Sequence, residues 1–131
     1  MTSLETGLRA LLPNGTGVIK CTAPAWCAPC RALRPTFRAL EESCHELRFV
    51  ELDMDDAEAA TSAEPFGVKG LPTVLVAHEG AVVETIVGAD HDKLRGAVAR
   101  LQKLATDGSA SSPSNQIALP YAAQASLRKS K

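Results

Sequence analysis

No stretch of this 131-residue chain approaches the ~20 consecutive apolar residues that a membrane-spanning helix needs. Nor does Met1 to Ala10 have the basic-then-apolar layout of a secretory signal. No basic cluster is present either: 14 Lys and Arg are interspersed with 15 Asp and Glu, for a formal net charge of -1. A surface of that kind excludes nucleic acid and anionic membranes as partners. Internal repeats are absent. Cysteine is scarce, with four residues at 21, 27, 30 and 44, too few and too unevenly placed for a disulfide-stapled secreted scaffold. These absences point to a soluble protein of a reducing compartment, read here as cytoplasmic and monomeric.

What is present is enough apolar material, 45% of the residues, for a single core. Thr2 and Glu5 have capping-box spacing, and Leu4, Leu8, Leu11 and Leu12 recur at helical intervals until Pro13-Asn14-Gly15 forces a turn. Gly17 to Thr22 reads as a strand. Leu33, Phe37, Leu40, Cys44 and Leu47 then form one stripe of a long helix, which Pro35 is expected to kink. A strand follows at Leu47 to Asp53. Asp55 or Asp56 can cap a short helix ending near Pro65. Thr73 to Ala77 and Ala81 to Val87 flank a Glu79-Gly80 turn as a hairpin. Asp90 can cap a last helix buried through Leu94, Val98, Leu101 and Leu104 or Ala105. This order predicts a three-layer α/β/α sandwich on a mixed sheet of about four strands. The domain is drawn at residues 1–105. Residues 106–131, rich in Ser, Ala, Pro, Asn and Gln, read as a flexible solvated tail, with weak docking through Ile117, Leu119 and Tyr121 as the alternative.

The chemistry sits at Trp26-Cys27-Ala28-Pro29-Cys30. Thiol–disulfide exchange needs one accessible thiol held partly as thiolate and a second close enough to expel the product. A C-x-x-C at a strand-to-helix junction meets both needs. Unpaired N–H groups and the helix dipole favour the Cys27 thiolate, while Cys30, a turn further in, keeps its proton. Pro29 restrains the backbone between them, and Trp26 adds a flat apolar face. Half of a zinc site looks identical in isolation. Completing one would take Cys21 from a strand and Cys44 from an apolar helix stripe, because His45, His78 and His91 lack ligand spacing.

The segment Trp26 to Cys30 resembles the thioredoxin family, whose usual motif is WCGPC, with Ala28 in place of the glycine. Phe66-Gly67-Val68-Lys69-Gly70-Leu71-Pro72-Thr73 is similar to the family's cis-proline loop, Glu79-Gly80 to its hairpin turn and Val87-Gly88 to its strand-end glycine. The resemblance runs from about Gly17 to Leu104. It implies a thioredoxin-like fold with Pro72 in cis opposite the cysteine pair, keeping metal away. The substrate groove it implies is lined by Trp26, Ala28, Pro29, Leu71, Pro72 and Gly88. Cys27 and Cys30 are then the catalytic dithiol of a protein disulfide reductase, with no cofactor and no metal. Its partners would be disulfide-containing proteins and thioredoxin reductase or an equivalent dithiol reductant.

Several departures accompany the resemblance. Cys21 occupies the position where the family usually has a buried aspartate that takes the resolving thiol's proton. A buried thiol is a poor base, so slower resolution is expected, relieved by water or by Glu51 if that side chain turns inward toward Cys21 rather than to solvent. Cys21 is otherwise a small buried hydrophobe or a third redox thiol, and Cys44 a buried hydrophobe. Ala23-Pro24 replaces an aromatic next to a small residue. The N-terminus leaves no room for the family's extra edge strand, and the loop from Asp55 to Pro72 is about two residues longer than usual. Two rival functions remain: a metal or iron–sulfur module using Cys27 and Cys30, and a redox-weak adaptor that keeps only the groove.

Overall fold

Every residue of Gly17–Thr22 is buried, as a strand covered on both faces requires. This strand, β1, pairs in parallel with β2 (Arg48–Asp53) and antiparallel with β3 (Thr73–His78), which pairs antiparallel with β4 (Ala81–Val87). The sheet order is β2-β1-β3-β4. The computed structural model describes residues 3–110, and four helices flank this sheet: α1 (Ser3–Leu11), α2 (Ala28–Ser43), α3 (Ala57–Ala63) and α4 (His91–Ala110).

Strand alternation divides the core. Val18, Val74, Val76 and Ile86 meet Leu33 and Phe37 of α2 and Leu94, Ala97, Val98 and Leu101 of α4. Ile19, Cys21, Leu52, Leu75 and Ala77 meet Leu8 of α1, Leu12 and Ala63 of α3 on the opposite face. That is the three-layer sandwich expected from the sequence. Burial on both faces also explains why β1 and β3 read as near-continuous apolar runs, whereas edge strand β4 alternates.

The helix ends differ in detail from their sequence pattern. The apolar stripe of α2 runs to Leu47 in the sequence, but the helix stops at Ser43 and Cys44 is its C-cap, donating its N–H to Leu40 O at 2.9 Å. Cys44 and Leu47 are still buried in the α2–α4 core, so the apolar periodicity continues through a turn. Pro35 lies within α2, exposed, and the helix stays continuous across it. Asp56 rather than Asp55 caps α3, its carboxylate accepting from the Ala59 N–H at 3.0 Å. Asp90 accepts from the Lys93 N–H at the start of α4. Ala105 packs on the core while Leu104 is 42% exposed. Helix α4 continues to Ala110, past the drawn domain boundary. The remainder of the tail, including Ile117, Leu119 and Tyr121, lies outside the described residues, as does the Thr2 half of the capping box.

The far end of the sheet is tied to the α1–β1 turn. Gly80 donates its N–H to Gly15 O at 3.0 Å, and Glu79 donates its own to Thr16 Oγ1 at 3.0 Å. Gly15 has φ +77, and any Cβ there would strike the Gly80 backbone, so only glycine fits this approach.

Candidate active site

At its C-terminal end β1 runs into Ala23, whose carbonyl accepts N–H bonds from Trp26 (3.2 Å) and Cys27 (2.9 Å). These bonds close a tight loop and set Cys27 at the N-cap of α2, with φ -100 and ψ 102. There the Cys27 sulfur accepts the Cys30 N–H at 3.2 Å, so an otherwise orphaned helix donor points at sulfur. Pro29 occupies the first turn, where a missing N–H costs nothing. Cys27 and Cys30 form a disulfide, with Cα atoms 5.2 Å apart. Cys27 is 5% exposed and Cys30 1%, so the outer sulfur is the one a partner reaches first.

The expected groove residues fall on both sides of this disulfide. Leu71 packs against Ala23, Cys27 and Cys30, and the Leu71–Pro72 peptide bond is cis. The β3–β4 register brings Gly88 opposite Pro72, and the Gly88 N–H donates to Pro72 O at 2.8 Å. Ala28 and Pro29 are exposed on the other side, and Trp26 is 64% exposed. Its ring is held in place, because Trp26 Nε1 donates to Asp55 Oδ1 at 3.0 Å. A carboxylate at position 55 was legible only as a helix cap; its role against Trp26 depends on a contact across 29 positions of chain.

Cys21 is fully buried on the α1–α3 face, and burial pushes its thiol up to about 11. It is therefore neutral at pH 7 and no base. Glu51 does not reach it. Register pairs Glu51 with Lys20, and side chains alternate, so both lie on the α2 face while Cys21 points the opposite way. Glu51 is not beside Cys21: it is exposed, and it accepts from Lys20 Nζ at 3.0 Å and from Arg38 at 3.4 Å. The fully buried Lys20, whose ammonium lies 5.2 Å from the Phe37 ring centroid, is the residue sequence reasoning missed. Its signal was a charge at an inward position of an otherwise apolar strand.

Burial raises the Glu51 pKa, but the hydrogen bond and charge of Lys20, with Arg38, outweigh it and hold the carboxyl below the usual range. For Lys20, burial dominates and lowers the pKa against the pull of Glu51, with Arg34 and Arg38 lowering it further. The carboxylate thus stabilises the fold above its unfolded pKa of ~4.3, and that contribution is lost as pH falls through the lower folded value. The lysine's penalty is relieved only at alkaline pH and does not disturb this window. A Glu51→Gln variant is expected to lose about 2 kcal/mol at pH 7, from the broken partly buried pair. In urea titrations its gap to the parent should close below about pH 4; a gap independent of pH would contradict the assignment.

Cys44 and Cys21 lie on opposite faces of the sheet, so the two cannot both join Cys27 and Cys30 in one four-cysteine site. Among the described residues no three His, Cys, Asp or Glu side chains converge as ligands.

The thioredoxin family model matches residues 6–100. The chain is 35% identical over 88 residues to a thioredoxin H-type of Picea mariana, covering 67% of this chain and 69% of that protein. It is 35% identical over 78 residues to thioredoxin H2 of Arabidopsis thaliana, covering 60% of this chain and spanning only 57% of the relative's length. Among solved structures, the thioredoxin of Fasciola hepatica superposes with a TM-score of 0.60 at 30% identity, over 70% of this chain and 88% of that one. A disulfide at a helix N-terminus beside a cis X-Pro bond, inside a match of this extent, places the chain in the thioredoxin family.

Proposed function

We propose that the chain is a protein disulfide reductase that acts through a mixed disulfide. The Cys27 thiolate attacks a substrate disulfide, forming a Cys27–substrate bond and releasing one substrate thiolate. Cys30, after losing its proton to solvent, attacks the Cys27 sulfur, and the second substrate thiolate leaves. The protein ends as the Cys27–Cys30 disulfide and the substrate as a dithiol. A dithiol donor, thioredoxin reductase or an equivalent, returns the two electrons and closes an electron-transport cycle. Trp26, Ala28, Pro29, Leu71, Pro72 and Gly88 line the surface on which the substrate chain rests, and residues 1–105 are the unit that carries the reaction.

The observation that carries this reading is the difference between the two sulfurs. Cys27 is at the helix cap, receiving an N–H, and Cys30 is sealed behind it. The free, buried thiol of Cys21 supports residence in a reducing compartment, the cytoplasm. No cofactor is required, because both electrons reside in the dithiol.

Insulin reduction by dithiothreitol tests the proposal. Catalytic amounts of the protein should bring forward the onset of turbidity. Turbidity at the uncatalysed rate would leave an adaptor that binds in the groove without turnover, and stoichiometric zinc or iron in the purified protein would favour a metal module.

A further inference from the structure

The mechanism leaves one demand unmet. Cys30 must ionise before it attacks, yet Cys21, the neighbouring titratable group on β1, is neutral and faces away from α2. The α2 face of the sheet holds charge of the opposite kind to a base. Lys20 and Arg38 pair there with Glu51, and Arg34 lies close enough to Lys20 to repel its charge, leaving an excess of positive charge under the middle of α2.

Arg34 stands out within this group. Its Nε is buried and has no hydrogen-bond partner, an expensive state for a charged donor. Arg34 follows Cys30 by four positions, one helical turn, and helical side chains lean toward the N-terminus over the preceding turn. An anion four positions ahead of a cation is also the favoured order on a helix. In the disulfide Cys30 carries no charge. On reduction it can ionise, and its thiolate is the acceptor that the Arg34 donor lacks.

We propose that Arg34, backed by Lys20, stabilises the Cys30 thiolate and so promotes its attack on the mixed disulfide. This deepens the reductase reading and rests on it. The step is balanced: the Cys30 thiol releases its proton to water, its sulfur forms the bond to Cys27, and the substrate sulfur leaves with the electron pair. The Lys20 ammonium lies over the Phe37 ring, seven residues along α2 from Cys30, so its charge acts from roughly 10 Å. The other charged groups around this end of α2 are committed or solvated. Arg31 is exposed and donates to Pro24 O, Asp55 holds Trp26, Lys69 and Asp53 are exposed, and His91 is bonded to Thr36.

The full-length protein, an Arg34→Met variant, an Arg34→Lys variant and a Lys20→Met variant serve as the test. Each is equilibrated with reduced and oxidised glutathione, and each is assayed for insulin reduction across pH. At pH 10, where Cys30 ionises, Arg34→Met is expected to move the glutathione equilibrium about tenfold toward the protein disulfide, a potential lower by ~30 mV. Its insulin turnover should fall about tenfold at pH 7 and approach the parent's as pH rises past the ordinary thiol pKa of ~8.5. Arg34→Lys should recover most of both, and Lys20→Met should shift both in the same direction by about threefold. Thermal melts identify any variant that is merely unfolded, and the readouts are compared on folded protein. Parent-like potentials and pH profiles in both Met variants would overturn the proposal, as would equal losses in Arg34→Lys and Arg34→Met. The glutathione equilibrium reads the dithiol without a protein substrate. A parent protein that exchanges with glutathione yet leaves insulin untouched would therefore fail the reductase reading and not this one.

Discussion

In the presence of a Cys27→Ser variant, insulin treated with dithiothreitol is expected to precipitate no faster than with dithiothreitol alone. A serine hydroxyl at this helix cap still accepts the Cys30 N–H, so the local fold should persist. What disappears is the thiolate, the only form that attacks a disulfide. Cys30 cannot substitute for it: at 1% exposure it lies behind its neighbour and out of a protein substrate's reach. The companion variant Cys30→Ser should fail in a different way. Its Cys27 remains a nucleophile and forms the mixed disulfide, but nothing behind it expels the substrate. In cell extract it should accumulate covalent adducts that dithiothreitol releases, visible as shifted bands on non-reducing gels. Adducts on the Cys27→Ser variant instead, or no adducts on Cys30→Ser, would reverse or remove the roles given to the two sulfurs.

Phe37→Ala should have the largest effect on stability, about 3–5 kcal/mol, read as a lower urea midpoint. Phe37 is 2% exposed at the centre of the α2–α4 core, and its ring meets Phe49 edge-on at 5.4 Å between centroids. The chain has only three Phe, one Trp and one Tyr, so little aromatic material is available to refill the space. The same ring covers the Lys20 ammonium, so the truncation also exposes a buried ion pair to rearrangement. Against a total stability of ~5–15 kcal/mol the loss is large. Phe37→Leu, which keeps most of the volume, should cost much less, and equal costs would show that packing at this site is not what holds the helix. Because Phe37 lies about two turns along α2 from Cys30 and covers the Lys20 ammonium, the molecules that remain folded should lose no more turnover than Lys20→Met does.

Much of this was readable in one dimension because it depends on short-range rules. Strand β1 begins and ends where its β-rich run does, and β4 likewise. Turn residues, cap residues and the cysteine spacing are local signals, each set by a few neighbouring dihedrals. The pairing of a strand-to-helix C-x-x-C with a distant Leu71-Pro72 was legible because both segments keep their own distinctive composition. Helix ends were less so. The α2 stripe continued past the helix because burial follows the core surface, and that surface does not end where the hydrogen-bonded turns end.

The groups around the dithiol were a different matter. Of the two places open to Glu51, near Cys21 or facing solvent, it takes the exposed one, on the other face of the sheet from Cys21 and paired with Lys20. A single residue of register decides between those outcomes, since neighbouring strand positions point to opposite faces. In the sequence Arg34 looks like an ordinary surface residue, Asp55 like a helix cap, and Lys20 shows only as a charge inside an apolar strand. Their partners are brought to them by β1–β2 pairing, by the loop that sets Trp26, and by the turn that lays α2 over the sheet.

From the sequence alone came the fold class and the two sulfurs that pair, because each follows from spacing along the chain. Only the folded molecule decided which charges surround those sulfurs, because Coulomb interactions depend on separation in space, and folding sets that separation between residues far apart in the chain.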